Sequence, residues 1–177
     1  QIRFYSTGHF VVTTSPGDSV RHWDLRTSKS IEIPIEHPVY SDISADGRLV
    51  LVISKPPPST QQAALIYNVD TKETTTVTQE EGTQFGRFFP TGKRIGLLAA
   101  NGRVDVMDLT SHRIQKTLPP SASGSYRLAF SHDGKKALVD CGSELVVWDI
   151  DAENQILRIH EPNRHVLASI LYREWEP

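Results

Sequence analysis

Short apolar runs of four to six residues, separated by polar turns, follow one another along the chain. Two examples are LVLVI at 49–53 and LVVWDI at 145–150, both rich in β-branched residues. No stretch keeps a helical period over ten or more residues. Short runs of β-branched residues bounded by turn residues are typical of strands. The pattern therefore predicts an all-β protein.

The run that ends in Trp-Asp recurs at a nearly constant spacing. An aromatic residue or a methionine occupies the same place in four runs, at intervals of 44, 40 and 41 residues. The four runs are VRHWDL at 20–25, LIYNV at 65–69, VDVMDL at 104–109 and LVVWDI at 145–150. A fixed period of about 40 residues is the signature of a repeated structural unit.

A second marker, a polar turn closed by glycine, keeps the same period. It is FYSTG at 4–8, ISADG at 43–47, FFPTG at 88–92 and FSHDG at 130–134. Asp-Gly and Thr-Gly pairs favour tight turns between antiparallel strands. Each unit is thus predicted to contain four short strands. The units are 1–36, 37–80, 81–120 and 121–160, followed by a partial fifth at 161–177 that contains VLASIL.

These residues resemble the WD40 family of β-propellers, in the RHWDL and VVWDI strand ends, the SADG and SHDG turns and the 40 to 45 residue period. The resemblance covers essentially the whole chain. It implies a propeller or propeller fragment built from blades of four antiparallel strands, the first strand innermost and the fourth outermost. Tyr67-Asn68 and Met107-Asp108 replace two of the Trp-Asp pairs. The repeats are therefore expected to be degenerate.

The incomplete fifth unit predicts open blade edges. An uncovered edge strand invites pairing with another chain. Three explanations are compatible with the pattern: a piece of a longer propeller, assembly with copies of itself or another chain, and closure of a small ring. Because the chain begins at Gln1 and the fifth unit stops early, a piece of a larger propeller is favoured, with self-association through open edges as an alternative.

Composition limits the classes of partner. With 19 basic and 21 acidic residues, the net charge is −2, so no field of one sign points to nucleic acid or an acidic membrane. No apolar run approaches membrane-spanning length. The single cysteine, Cys141, excludes an intrachain disulfide and fits a reducing compartment. We expect an intracellular protein, cytoplasmic or nuclear, that binds neither nucleic acid nor membranes.

Catalytic and cofactor-binding motifs are missing from the sequence. The seven histidines show no metal-site spacing, and no G-x-S-x-G elbow or glycine-rich phosphate loop occurs. We therefore predict no catalytic residue, no metal and no cofactor.

One loop is longer than its counterparts. The distance from turn glycine to third-strand marker is 15, 20, 15 and 14 residues in the four units, and the extra residues fall in KPPPSTQQ at 55–62. Three prolines are expected to stiffen this loop toward an extended conformation. In WD40 proteins this loop lies on a face where partners commonly dock, which implies protein-binding roles for Lys55, Pro56, Pro57 and Pro58. The alternative is a tolerated hairpin insertion.

Two other groups of residues are candidates. Tyr126 and Arg127 precede an innermost strand and are predicted to be loop positions for protein binding. Arg3, Asp42 and Arg87 hold equivalent places in adjacent innermost strands, which implies a polar cluster at the channel. Such a cluster fits recognition of an acidic or phosphorylated peptide, or an ion network that ties blades together. The ion network is favoured, because Asp42 already offers the arginines a partner.

The function predicted from these features is a non-catalytic protein–protein interaction scaffold. Its partners would be other proteins or other domains of the parent chain. The alternative is a propeller that serves an enzyme, for instance by gating or forming the substrate channel of a hydrolase.

Overall fold

The computed structural model describes residues 2–4, 9–15, 18–59, 61–77, 82–120, 127–141 and 144–160. Sixteen strands and no helix occur in these ranges. The partial fifth unit at 161–177 and the candidate residue Tyr126 lie outside the described residues.

The strands form four sheets of four strands, and in each sheet the strands follow one another in chain order. The first sheet contains β1 (Ile2–Phe4), β2 (Phe10–Ser15), β3 (Ser19–Asp24) and β4 (Lys29–Ile33). The second contains β5 (Pro38–Ile43), β6 (Leu49–Ser54), β7 (Ala63–Asn68) and β8 (Thr74–Val77). The third contains β9 (Thr83–Phe88), β10 (Arg94–Ala99), β11 (Val104–Asp108) and β12 (Arg113–Leu118). The fourth contains β13 (Arg127–Phe130), β14 (Lys136–Asp140), β15 (Glu144–Asp149) and β16 (Asn154–His160).

The Trp-Asp-like marker lies at the end of the third strand in every sheet. The residue after the aromatic or methionine side chain caps the turn into the fourth strand: Asp108 Oδ1 accepts the backbone N–H groups of Thr110 and Ser111, and Asn68 Oδ1 those of Asp70 and Thr71. Short carboxylate and amide side chains are suited to such turns because they bond their own backbone two or three residues on. The fifth residue of each of these turns has a positive φ; these residues are Ser28, Lys72, His112 and Glu153.

In the second, third and fourth sheets, the glycine marker lies in the tight turn between first and second strands. In the second sheet, Gly47 has φ +74° and its N–H donates to Ser44 O at 2.9 Å. Asp46 Oδ1 accepts Ser44 Oγ–H and the N–H of Arg48, which fixes the turn from inside. The fourth sheet repeats the arrangement with Gly134 and Ser131. A positive φ at this place explains why glycine recurs there.

The chain divides into two compact units, 1–88 and 89–177. In the first, apolar residues of the first and second sheets share one buried cluster, formed by Val12, Val20, Ile33, Ile35, Ile43, Val50, Val52 and Tyr67. Phe10 lies over Gly47, and His22 Nε2 lies 2.9 Å from Gly47 O. The first sheet is therefore held to the second by apolar packing, by this bond to a turn carbonyl and by a hydrogen bond between the hydroxyl groups of Thr14 and Ser41.

The second unit repeats this contact with different side chains. Phe89 stacks on Phe130 with ring centroids 3.8 Å apart. Arg94 lies 4.4 Å above the Phe89 ring and donates to Gly134 O at 3.2 Å. Gly96 leaves room for the Phe130 ring, because a Cβ at this place would lie 2.2 Å from Phe130 Cζ. An apolar contact plus a donor to a turn carbonyl thus occurs between the first and second sheets and again between the third and fourth.

Candidate functional site

The loop between β6 and β7 is the long connection predicted from the sequence. It comprises residues 55–62, whereas the corresponding connections in the other sheets are residues 16–18, 100–103 and 141–143. All five residues from Lys55 to Ser59 are exposed. The extra length and the exposure place the three prolines on the surface of the first unit.

The ends of this loop are held by hydrogen bonds. The N–H of Lys55 donates to His37 O at 3.0 Å, which ties the start of the loop to the residue before β5. Ser59 Oγ donates to Gln61 O and accepts the N–H of Gln61. These hydrogen bonds restrict the conformations of the loop, so less conformational entropy is lost when a partner binds to it.

The expectation that the prolines extend the loop is wrong. The N–H of Ser59 donates to Pro56 O at 3.0 Å, so residues 56–59 close a turn, and the Pro57–Pro58 peptide bond is cis. Proline is compatible with turn positions as well as with extended segments, and composition alone did not distinguish the two. The loop therefore presents proline rings on a compact turn beside the Lys55 side chain.

Arg127, the other described loop candidate, opens β13 and is exposed. It pairs with Asp140, the last residue of β14. Whether it takes part in protein binding stays a prediction.

The structure brings the three polar cluster residues together within the first unit. Asp42 is 6% exposed, while Arg3 and Arg87 are half-buried. Both arginine charges act on the Asp42 carboxylate. Asp42 Oδ2 also accepts the backbone N–H of Phe88 at 2.9 Å. We call Arg3, Asp42 and Arg87 the polar cluster.

Strand register explains why these side chains meet. Arg3 pairs with Val12 and Asp42 with Leu51, so both lie at the same level of the first strand in their sheets. The carboxylate is held on one side by a backbone donor and is close to guanidinium groups, which are the partners that a buried carboxylate requires.

Tyr40 is part of the same site and was missed by the sequence reasoning. The Arg3 guanidinium carbon lies 5.6 Å from the centroid of the Tyr40 ring, and the Phe85 ring lies 4.1 Å from it. Period-two alternation could have revealed Tyr40, because residues two apart on a strand share a face and Tyr40 precedes Asp42 by two. The aromatic rings form an apolar wall that supports Arg3 through a cation–π contact.

Burial dominates the electrostatics of this site. Burial raises the pKa of Asp42, while Arg87, the Phe88 N–H and Arg3 oppose that rise. Burial also raises the pKa of Tyr40, with a further contribution from the Asp42 charge. With Asp42 ionised, two guanidinium cations therefore act on one carboxylate in the polar cluster.

In the described parts of the chain, no group of three or more His, Cys, Asp or Glu side chains is arranged to hold a metal ion. Cys141 is buried, as expected for a small apolar side chain. Within the same ranges, no helix has the length and apolar character needed to cross a membrane.

Comparison with known proteins identifies the fold and nothing finer. No protein-family model and no curated protein matches the chain. Among solved structures, 1276 chains match. One of them is hydrazine synthase of Kuenenia stuttgartiensis, at 14% identity with a TM-score of 0.70, covering 90% of this chain.

The present chain spans 62% of the length of that synthase chain. At this level of identity the likeness shows the fold alone. The predicted fold class is confirmed: the chain is all-β and of the propeller type, built from four-stranded antiparallel sheets.

Proposed function

We propose that the chain is a WD40-like, non-catalytic interaction module that binds other proteins or other domains of its parent chain. The observation that carries the proposal is the exposed, hydrogen-bonded turn at Lys55–Ser59, which lies in a connection longer than its counterparts in the other three sheets. Its proline rings and the lysine stem offer apolar contact, and the ammonium group offers a charge. Residues that are already ordered cost little entropy on binding.

The chemistry of the loop limits the partner. Proline-rich surfaces are recognised by grooves lined with aromatic side chains. The Lys55 ammonium would favour a carboxylate at the edge of such a groove. A partner with an aromatic groove and an acidic edge therefore fits this loop better than a nucleic acid, because the net charge of the chain is −2.

Affinity capture from a lysate of the source organism tests the proposal. The parent chain is compared with a variant in which residues 55–59 are replaced by a Gly-Ser turn and with Lys55→Glu. Lys29→Glu is the matched control, because Lys29 is an exposed lysine of β4 in the same unit. Proteins recovered with the parent and the control, but lost with both loop variants, support the proposal.

Two outcomes contradict it. Identical recovery with all four proteins makes the loop a passive insertion, and recovery of no specific partner removes the support for an interaction module. Capture of a hydrolase would instead favour the alternative of a propeller that serves an enzyme.

The two guanidinium groups of the polar cluster favour a second candidate function, recognition of an acidic or phosphorylated peptide. Arg3 and Arg87 are half-buried and so retain access to solvent. The competing ion-network interpretation gains support from the burial of Asp42, whose carboxylate is acted on by both guanidinium charges. Titration with a phosphoserine peptide separates the two: binding that weakens in both Arg3→Gln and Arg87→Gln supports recognition, and no binding leaves the ion network.

A further inference from the structure

The loop at 55–62 is attached at both ends to the residues that lead into first strands. At its start, the N–H of Lys55 donates to His37 O at 3.0 Å, and His37 directly precedes β5. At its end, Gln62 O accepts the N–H of Thr83, the first residue of β9, at 3.0 Å. All of these residues belong to the first unit. The surface beside the loop therefore includes the residues at the entry to β5.

His37 has a backbone conformation that its counterpart in the third sheet achieves with glycine. His37 has φ +51°, and Gly82, which directly precedes β9, has φ +72°. The two residues are equivalent, because each stands five places before a member of the polar cluster, Asp42 or Arg87. A positive φ is free of strain in glycine and strained in histidine. His37 is also exposed, so packing does not account for its side chain, and a strained residue of this kind indicates a functional role.

Val39 adds an apolar side chain to the same surface. Strand β5 has a bulge between Pro38 and Tyr40, so Val39 is the extra residue opposite β6. Pro38 pairs with Ser54, which directly precedes Lys55, so the bulge lies beside the start of the loop. Val39 is 39% exposed. Bulges redirect side chains and are frequent beside functional sites, which fits a contact role for Val39.

We infer that His37 and Val39 extend the turn at Pro56–Ser59 into one docking surface for a proline-recognising domain. The groove of this domain is lined with aromatic side chains and has an acidic edge. Val39 and the proline rings enter the groove, while Lys55 and His37 bind carboxylates at its edge. The inference rests on the proposed interaction function and adds contact residues that lie outside the loop.

The chemistry of these side chains selects this class of partner. Proline rings and a valine side chain offer apolar surface without hydrogen-bonding groups, which suits an aromatic wall. The Lys55 ammonium and an imidazole N–H of His37 are hydrogen-bond donors, and a carboxylate is the side chain that accepts from both. Because the backbone groups of His37 and Lys55 are bonded to each other, the two donors come from adjacent places on the surface.

Isothermal titration calorimetry with a panel of purified SH3 and WW domains tests the inference, because the grooves of these domains are lined with aromatic side chains. A domain with an acidic groove edge is expected to bind the parent chain. Val39→Asp and His37→Gly should each raise the dissociation constant by about tenfold or more, since each removes a central contact. Glycine keeps the positive φ at position 37, so the loss reports on the imidazole and not on the backbone.

Two variants of the first unit are matched controls. Ile31→Asp changes another apolar residue that is 39% exposed, as Val39 is. Lys72→Gly removes an exposed side chain from a residue with φ +61°. Both should leave the dissociation constant within about twofold of the parent value. Glu36→Gln tests the sign of the edge: Glu36 is exposed next to His37, an acidic edge repels it, and its neutralisation should lower the dissociation constant.

Circular dichroism and urea unfolding establish that each variant is folded. The inference is overturned if no domain of the panel binds, if His37→Gly or Val39→Asp leaves the dissociation constant unchanged, if a control weakens binding equally, or if Glu36→Gln raises the dissociation constant. Failure of the interaction function itself looks different. If Lys55→Glu weakens binding while His37→Gly and Val39→Asp do not, the interaction function stands and the extended surface is wrong. Loop-dependent capture from lysate without binding to the panel has the same meaning.

Discussion

Replacing Gly47 by alanine is the sharpest test of the contact between the first two sheets. Gly47 has φ +74°, a conformation that costs an ordinary residue about 1–2 kcal/mol. An added Cβ would also lie 2.2 Å from Phe10 Cδ2 and 2.5 Å from Phe10 Cγ. Forcing a ring aside in a packed interface costs a further ~1–3 kcal/mol. We expect Gly47→Ala to lower the free energy of unfolding by about 2–5 kcal/mol.

Gly134→Ala is the matched control. Gly134 occupies the same turn position with φ +67°, but its Cβ would meet nothing closer than Phe89 Cδ1, at 3.3 Å. Only the cost of the positive φ remains in full, so we expect Gly134→Ala to lower the free energy of unfolding by about 1–2 kcal/mol. The difference between the two variants measures the steric overlap with Phe10.

The assay is unfolding in urea, monitored by tryptophan fluorescence and by circular dichroism. The comparison requires that the slope of the free energy of unfolding against urea concentration is the same in all variants. A double-mutant cycle with Phe10→Ala should show that Gly47→Ala costs less by about 1–3 kcal/mol once the ring is gone. If Gly47→Ala costs no more than Gly134→Ala, or if the cycle is additive, the packing described between the two sheets is wrong.

Two further predictions concern titratable side chains of the first unit. Burial lowers the pKa of His22 below its ordinary 6.5, so the unfolded chain binds the proton more tightly and the free energy of unfolding should fall as the pH drops below that value. Urea midpoints at about pH 8 and about pH 5.5 measure this loss, and His22→Gln should reduce the pH dependence. Asp42→Ala should lower the free energy of unfolding by about 2–4 kcal/mol, because the Phe88 N–H loses its acceptor and two arginines lose their counter-charge. Asp18 is exposed, so in the same assay Asp18→Ala should change the free energy of unfolding by no more than about 0.5 kcal/mol. An equal effect of Asp42→Ala and Asp18→Ala would contradict the ion network.

The strands were predictable because their signals are local. Runs such as LVLVIS at Leu49–Ser54 and the Asp-Gly turn at Gly47 specify strand and hairpin without reference to distant residues. The meeting of Arg3 and Asp42 followed from their equal place in successive repeats, because a repeat transfers one strand register to the next.

Long-range partners were not predictable in the same way. Tyr40 joins the polar cluster through rings contributed by different strands, and the acceptor of His22 is a backbone carbonyl, which has no residue type to recognise. The turn at Pro56–Ser59 depends on a hydrogen bond between backbone atoms, so counting prolines could not separate a turn from an extended loop.

The hydrogen bonds between sheets are accepted by the carbonyl group of a turn, and this affects how the sequence of such a chain can change during evolution. His22 reaches Gly47 O from a third strand, while Arg94 reaches Gly134 O from a second strand. Substitution of a side chain leaves a peptide carbonyl in place, so each repeat can exchange its donor without a compensating change in the next. Sequence identity between repeats, and between related chains, can therefore decay over evolutionary time while the sheets keep the same packing.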